Sequence, residues 1–312
     1  MDVVSVINYK GGVGKTTTTA NLAAELAVRG HDVLVLDLDA QASLTFSFVS
    51  PDIWQEKLSK DKTIKAWFDS ASSSSPIPLK SLIFEPPKVK ARLEKVNKDA
   101  GKLHLVPSHL GLINVDLELA TELGGATMSQ AKAKFLKLHR RLSDELANLD
   151  PDEYDIVLID CPPNFNITTK TAIVASNRIL IPAKPDYLST LGISYLIRNL
   201  NALVRDYNEY ATHDPDDGEE IIEPEILGVV FTMIQITSGR PISAQRPFIA
   251  RTESLGIKVF RSLIRENKTI FADAAEQGVP VVLNQYSGTT HPDVVAEIEN
   301  FVTEFEGLVG LE

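Results

Sequence analysis

The octapeptide Lys10-Gly11-Gly12-Val13-Gly14-Lys15-Thr16-Thr17 lies between an apolar β-branched run and a segment of helical spacing, and that context fixes the fold class. Val3-Val4-Ser5-Val6-Ile7 reads as a buried strand. From Thr18 to Val28, Ala and Leu recur at helical intervals. Strand, glycine-rich turn and helix together are the setting of a phosphate-binding loop. Glycine lets the backbone approach phosphate closely, with N–H groups turned inward. The helix start adds positive potential. Lys15 is then placed to reach β- and γ-phosphates, and the Thr16 hydroxyl to bind Mg²⁺. The common form of this loop has Gly where this chain has Tyr9, so Lys10 is an additional cation at the mouth.

Two further segments match such a site. Val33-Leu34-Val35-Leu36 is a second buried-strand run and ends in Asp37-Leu38-Asp39-Ala40-Gln41. Acids at the carboxyl end of a strand lie at the ligand crevice of an open α/β sheet. Strand alternation puts Asp37 and Asp39 on one side. Helix-capping or turn aspartates are the alternative reading of the pair. Tyr154-Asp155-Ile156-Val157-Leu158-Ile159-Asp160-Cys161-Pro162-Pro163 is a third apolar strand, stopped by an acid and two prolines. Asp160 is placed to bind Mg²⁺, directly or through water.

These three boxes resemble those of the ParA/MinD ATPases. Asn8 to Thr17 is similar to their deviant Walker A box, Asp37 to Gln41 to their second box with Ala40 where proline is common, and Asp160-Cys161-Pro162-Pro163 to their Walker B box. The resemblance extends from the first strand to about Leu283. It takes in Leu103 to Ser108, Ile179 to Pro182, Pro185 to Leu188, Leu191-Gly192, Leu227 to Met233, Ile264 to Asn267 and Gly278 to Val281. It implies ATP and Mg²⁺ as cofactors, and a doubly wound, mostly parallel sheet with helices on both faces. It also implies that Lys10 crosses a dimer interface to the partner's nucleotide, that Asp39 orients the attacking water, and that Asp37 supports Mg²⁺ or the loop. Gly11, Gly12, Val13, Gly14, Lys15, Thr16 and Thr17 would hold phosphate. Met233, Ile264 and Arg265 would contact adenine, although Gln235 stands where relatives often carry an acid.

The resemblance implies a cytoplasmic, nucleoid-associated ATPase that hydrolyses ATP to ADP and phosphate. ATP closes a homodimer, the dimer binds DNA without sequence preference and positions a cargo, and a cargo-linked adaptor stimulates hydrolysis. A net charge of −11 and a pI near 5.1 argue against nucleic acid when taken alone. The charge is unevenly distributed, however. Asp206 to Glu225 and Asp293 to Glu312 contain no Lys or Arg, whereas Arg240 to Lys268 is rich in both. Screening over about 8 Å lets a local basic face act despite an acidic total. Arg198, Arg205, Arg246, Arg251 and Lys258 are the candidates for DNA binding. Lys132, Lys134, Lys137, Arg140 and Arg141 form a rival basic helix. A MinD-like membrane cycle is the alternative, and the acidic amphipathic segment Val294 to Glu306 disfavours it. A phosphate-loop synthetase acting on small molecules is a further alternative, for which no acceptor-binding constellation is visible.

The chain is expected to be a single domain over 1–312, with insertions at about 51–101 and 210–224. Ile64 to Phe68 and Lys88 to Val96 are expected to be helical turns, and Ser70 to Pro78 a loop. No run reaches the ~18 apolar residues of a membrane span. From the immediate entry into a strand, neither a leader peptide nor a preceding DNA-reading domain is expected. The single cysteine, Cys161, excludes an internal disulfide and suggests a reducing compartment and a packing role. It also argues against an intersubunit iron–sulfur cluster. The six histidines lack metal-ligand spacing.

Overall fold

The computed structural model describes residues 1–71, 73–123, 125–212, 221–284 and 290–311. Nine strands are present among them: β1 Asp2–Val6, β2 Val33–Asp37, β3 Leu103–Val106, β4 Ile156–Asp160, β5 Arg178–Ala183, β6 Glu225–Ile234, β7 Ile236–Thr237, β8 Arg240–Pro241 and β9 Val259–Arg265. Seven form one sheet in the order β3-β2-β4-β1-β5-β6-β9. Every neighbouring pair in it is parallel. β7 and β8 form a separate antiparallel ribbon. The expected doubly wound, parallel sheet is the observed one.

The strand sequences explain this burial. A parallel sheet covered on both faces needs near-continuous apolar strands. β2 and β4 are buried at every position. Alternation sends Val33 and Val35 into one core and Leu34 and Leu36 into the other. The first core is covered by helices Lys15–Val28, Pro87–Val96 and His291–Val309, the second by Met128–Ala147, Ile167–Val174 and Tyr187–Thr212. The acidic terminal helix buries Val294, Ile298, Phe301, Val302, Phe305 and Val309 in the first core.

Of residues 51–101, residue 72, within the expected loop Ser70 to Pro78, lies outside the described residues; the others are structured. They include helices Ile64–Ser70 and Pro87–Val96 at the two places where helical turns are expected. Between them lie bends, a 3₁₀ turn Leu79–Leu82 and the bridge from Phe84 to Leu105. Of the second expected insertion, residues 213–220 lie outside the described residues, and the long helix runs through Tyr210 to Thr212.

Candidate nucleotide site

β1 and β4 are adjacent at the centre of the sheet, and the loop after β1 leads into the helix Lys15–Val28. Gly14 precedes that helix at φ 81°, a left-handed conformation favoured by glycine. A Cβ there would lie 3.3 Å from the Thr232 hydroxyl. Thr232 Oγ1 donates to Val13 O at 2.7 Å and ties the loop to β6. Asn8 holds the loop's other end: its Nδ2 donates to Pro182 O at 2.8 Å, and its Oδ1 accepts from Lys10 N at 3.0 Å.

Lys15, Thr16 and Asp160 converge where β1 and β4 end. Thr16 Oγ1 donates to Asp160 Oδ2 at 2.7 Å. Lys15 is 6% exposed. Burial lowers its pKa, opposed by the negative charges of Asp160 and Asp39. Asp160 is fully buried, and its pKa is pushed up to about 7, chiefly by burial. Asp37 is its register partner across β2 and β4. Burial first, and Asp160 second, raise Asp37 to about 8. Asp37's oxygens accept from Thr45 N, Thr45 Oγ1 and Asp39 N at 2.8, 2.7 and 3.1 Å. Asp37 therefore acts on the loop that carries Asp39. Asp39 is half-buried, and its Oδ1 accepts from Gln41 N at 2.9 Å. Cys161 is buried, and burial pushes its thiol well above the ordinary range.

Lys10 sits elsewhere. Its Nζ donates to both oxygens of Asp186, at 2.9 and 2.7 Å. Asp186 precedes the helix Tyr187–Thr212, and its Oδ1 also accepts from Ser189 N at 2.8 Å. Burial opposes, but the Lys10 and Ser189 bonds prevail and hold the Asp186 carboxyl below its ordinary pKa. Tyr9 is fixed to the same helix: its hydroxyl accepts from Asn199 Nδ2 at 2.7 Å, and its ring packs 5.3 Å from Tyr195. Tyr187, Leu188, Leu191 and Tyr195 are exposed on this helix.

Beside the loop lies a cavity of about 310 Å³, bounded by Gly14, Thr17, Thr18, Asn21, Met233, Ile264, Glu266 and Phe271. Met233, Ile264 and Arg265, the expected base contacts, all line it. The Arg265 side chain is engaged by the terminal helix, with Nε 2.8 Å from Glu297 Oε1 and Nη1 3.1 Å from Asp293 Oδ2. Sequence reading missed Asn21, Lys184, Phe271, Ile298 and Phe301 in the cavity wall, and Asp186 as the partner of Lys10.

Arg198, Arg205, Arg246, Arg251 and Lys258 are all exposed, on or near helices Tyr187–Thr212 and Arg246–Glu253. The Arg198 guanidinium lies 5.0 Å from the Tyr195 ring centre, and Arg205 pairs with Asp206 at 2.8 Å. Among the described residues, Arg246, Arg251 and Lys258 have no carboxylate within ion-pair distance. The rival helix is more neutralised, by Lys132–Glu209, Arg140–Asp144 and Arg141–Glu122 pairs. Among the described residues, no helix is long and apolar enough to cross a membrane.

Comparison with known proteins agrees with the fold and the boxes. The AAA_31 family profile, an AAA domain, matches residues 1–212. The chain is 31% identical to a putative replication protein A of Rhizobium rhizogenes over 208 residues, 66% of this chain and 46% of that one. It thus spans about half the length of that relative. The cell division protein PomZ of Myxococcus xanthus is 27% identical over 300 residues, 95% of this chain and 76% of PomZ. Among solved structures, a substituted form of Cyanothece McdA in complex with ATP superposes with a TM-score of 0.70 at 21% identity, covering 100% of this chain and 97% of McdA. The chain belongs to the AAA_31 family, as a ParA-type member of the phosphate-loop NTPases.

Proposed function

We propose that the chain is an ATP-driven positioning ATPase whose ATP-bound homodimer binds DNA without sequence preference. The observation that carries this reading is the convergence of Lys15, Thr16 and Asp160 beside a base-sized cavity. Amides of Gly11 to Thr17 and the Lys15 ammonium bind the phosphates. The oxygen donors of Thr16 and Asp160 fit Mg²⁺. That ion takes one or two carboxylates and leaves its other positions to phosphate and water, so no larger acidic cluster is needed. When bound, Mg²⁺ neutralises charge on the β- and γ-phosphates. Asp39 orients the attacking water, and Asp37 holds the Asp39 loop.

Lys10 supplies the dimer function. Its charge lies beside an exposed apolar helix turn, the kind of surface a second subunit covers. Closing two chains together carries Lys10 to the partner's phosphates, where a cation stabilises the transferring group. Arg198, Arg205, Arg246, Arg251 and Lys258 form the DNA face. Arg205 is paired with Asp206, but the open charges of Arg246, Arg251 and Lys258 favour this face over the internally paired helix Met128–Ala147. A cargo-linked adaptor stimulates hydrolysis, and loss of the γ-phosphate reopens the dimer. Action on the cytoplasmic nucleoid follows from the same reading.

The deciding experiment is a gel shift of random-sequence duplex DNA with ATP, ADP or no nucleotide, on wild type and Lys10→Ala. Retardation is expected with ATP alone and is lost in Lys10→Ala. Failure to retard DNA at low salt, with dimerisation established by light scattering, removes the DNA reading.

A further inference from the structure

Met233 is a non-glycine residue at φ 54°, inside a strand that lines the base-sized cavity. A left-handed residue of this kind is strained and persists only where its surroundings hold it. One side chain does so. Gln245 is 7% exposed. Its Nε2 donates to Met233 O at 3.2 Å, and its Oε1 accepts from Gln235 N at 2.9 Å. Between those two positions, Ile234 O accepts from Glu266 N at 2.9 Å. The amide therefore supplies the pairing that a neighbouring strand would give residues 233–235. Gln245 is itself anchored just before the helix Arg246–Glu253, with its backbone N–H on Ile242 O at 3.0 Å. It does not line the cavity.

We propose that Gln245 is the positioning residue of the base pocket: by holding Met233 and Gln235 it sets the wall against which the nucleotide base lies. This inference rests on the nucleotide reading. A primary amide offers one donor and one acceptor in this arrangement whatever the pH, whereas a carboxyl does so only when protonated. An ionised glutamate of the same shape keeps the acceptor for Gln235 N and turns a second acceptor onto Met233 O.

The test compares binding of ATP and of inorganic triphosphate to wild type, Gln245→Glu and Gln245→Ala by titration calorimetry. The two ligands share the phosphate loop, and only ATP carries a base. A lost buried hydrogen bond predicts about a tenfold loss of ATP affinity in both variants, with triphosphate affinity unchanged. Equal losses for both ligands, or none for ATP, overturn the inference. The near-isosteric glutamate variant reads the outcome should the alanine variant fold poorly. Wild type that binds ATP no better than triphosphate removes the base pocket itself, a failure of the nucleotide reading distinct from that of Gln245.

Discussion

Asp37 and Asp160 are two fully buried acids on adjacent central strands, directly across from one another. Two carboxylates in that position favour holding a proton over both being charged. Their folded pKa values, about 8 and about 7, lie above the ordinary value of 3.8. The sign follows from proton counting. Between about pH 4 and pH 8 the folded chain holds protons that the unfolded chain has released, so stability falls as pH rises. Asp160 is raised chiefly by burial, so replacing Asp37 takes one proton, its own, out of this balance. We therefore expect the nucleotide-free, Mg²⁺-free protein to lose stability from pH 5 to pH 8 by urea unfolding. Asp37→Asn should flatten that loss by up to about 1.4 kcal/mol per pH unit. Identical slopes in the two proteins would show that Asp37 is ionised in the fold. Its three donors, from Thr45 and Asp39, would then outweigh burial.

At the scale of elements, the helix Tyr187–Thr212 does more than cover the sheet. Its leading residue Asp186 holds Lys10, Asn199 holds Tyr9, and its first turns expose Tyr187, Leu188 and Leu191. The phosphate loop and the apolar surface are thereby joined through one helix. On the proposed reading, Lys10 leaves Asp186 before it crosses to a partner, and Asp186 then opposes dimerisation. Lys10 and Asp186 are each 33% exposed at the side chain, which keeps the pair near the weak end of ion-pair energies, about 1 kcal/mol. Two such pairs break in each homodimer, so Asp186→Asn should shift the ATP-dependent monomer–dimer midpoint to lower protein concentration by up to about thirtyfold. Sedimentation velocity at fixed ATP reads this. A midpoint moved the other way would mean that Asp186 serves the dimer. The second box has a comparable support from outside itself. Ser108 Oγ donates to Asp39 O, its N–H donates to Thr45 Oγ1, and its carbonyl accepts from Trp54 Nε1, so residues 51–108 brace the Asp39 loop.

At the scale of the whole molecule, what was legible in the sequence was what short segments encode. The continuous apolar runs announced buried parallel strands, and each box stood at the end of such a run, so Lys15, Thr16 and Asp160 could be grouped before any contact was known. The unseen features join distant positions. Lys10 meets Asp186 at a separation of 176 residues, and Thr232 meets Val13 at 219. The cavity wall draws Ile298 and Phe301 from a helix whose spacing declares only a buried face. Such pairings are set by topology and leave no local periodicity. Charge behaved likewise: Arg265, read as part of a basic stretch, is turned onto Glu297 and Asp293. The acidic terminal helix thus separates cations held within the fold from those facing solvent, and this bears on the proposed DNA face. Arg246, Arg251 and Lys258 are exposed, so each should release a counterion when it meets phosphate. Removing Arg246 and Arg251 together should weaken ATP-dependent DNA binding uniformly across sequences. It should also lower the slope of log affinity against log salt by about 0.9 for each cation lost. Arg265→Ala should leave that slope unchanged, because its charge is spent within the fold. A salt titration of fluorescence anisotropy on the three proteins distinguishes the outcomes. An unchanged slope in Arg246→Ala/Arg251→Ala would move the DNA face to the helix Met128–Ala147, whose lysines and arginines would first have to exchange Glu209, Asp144 and Glu122 for phosphate.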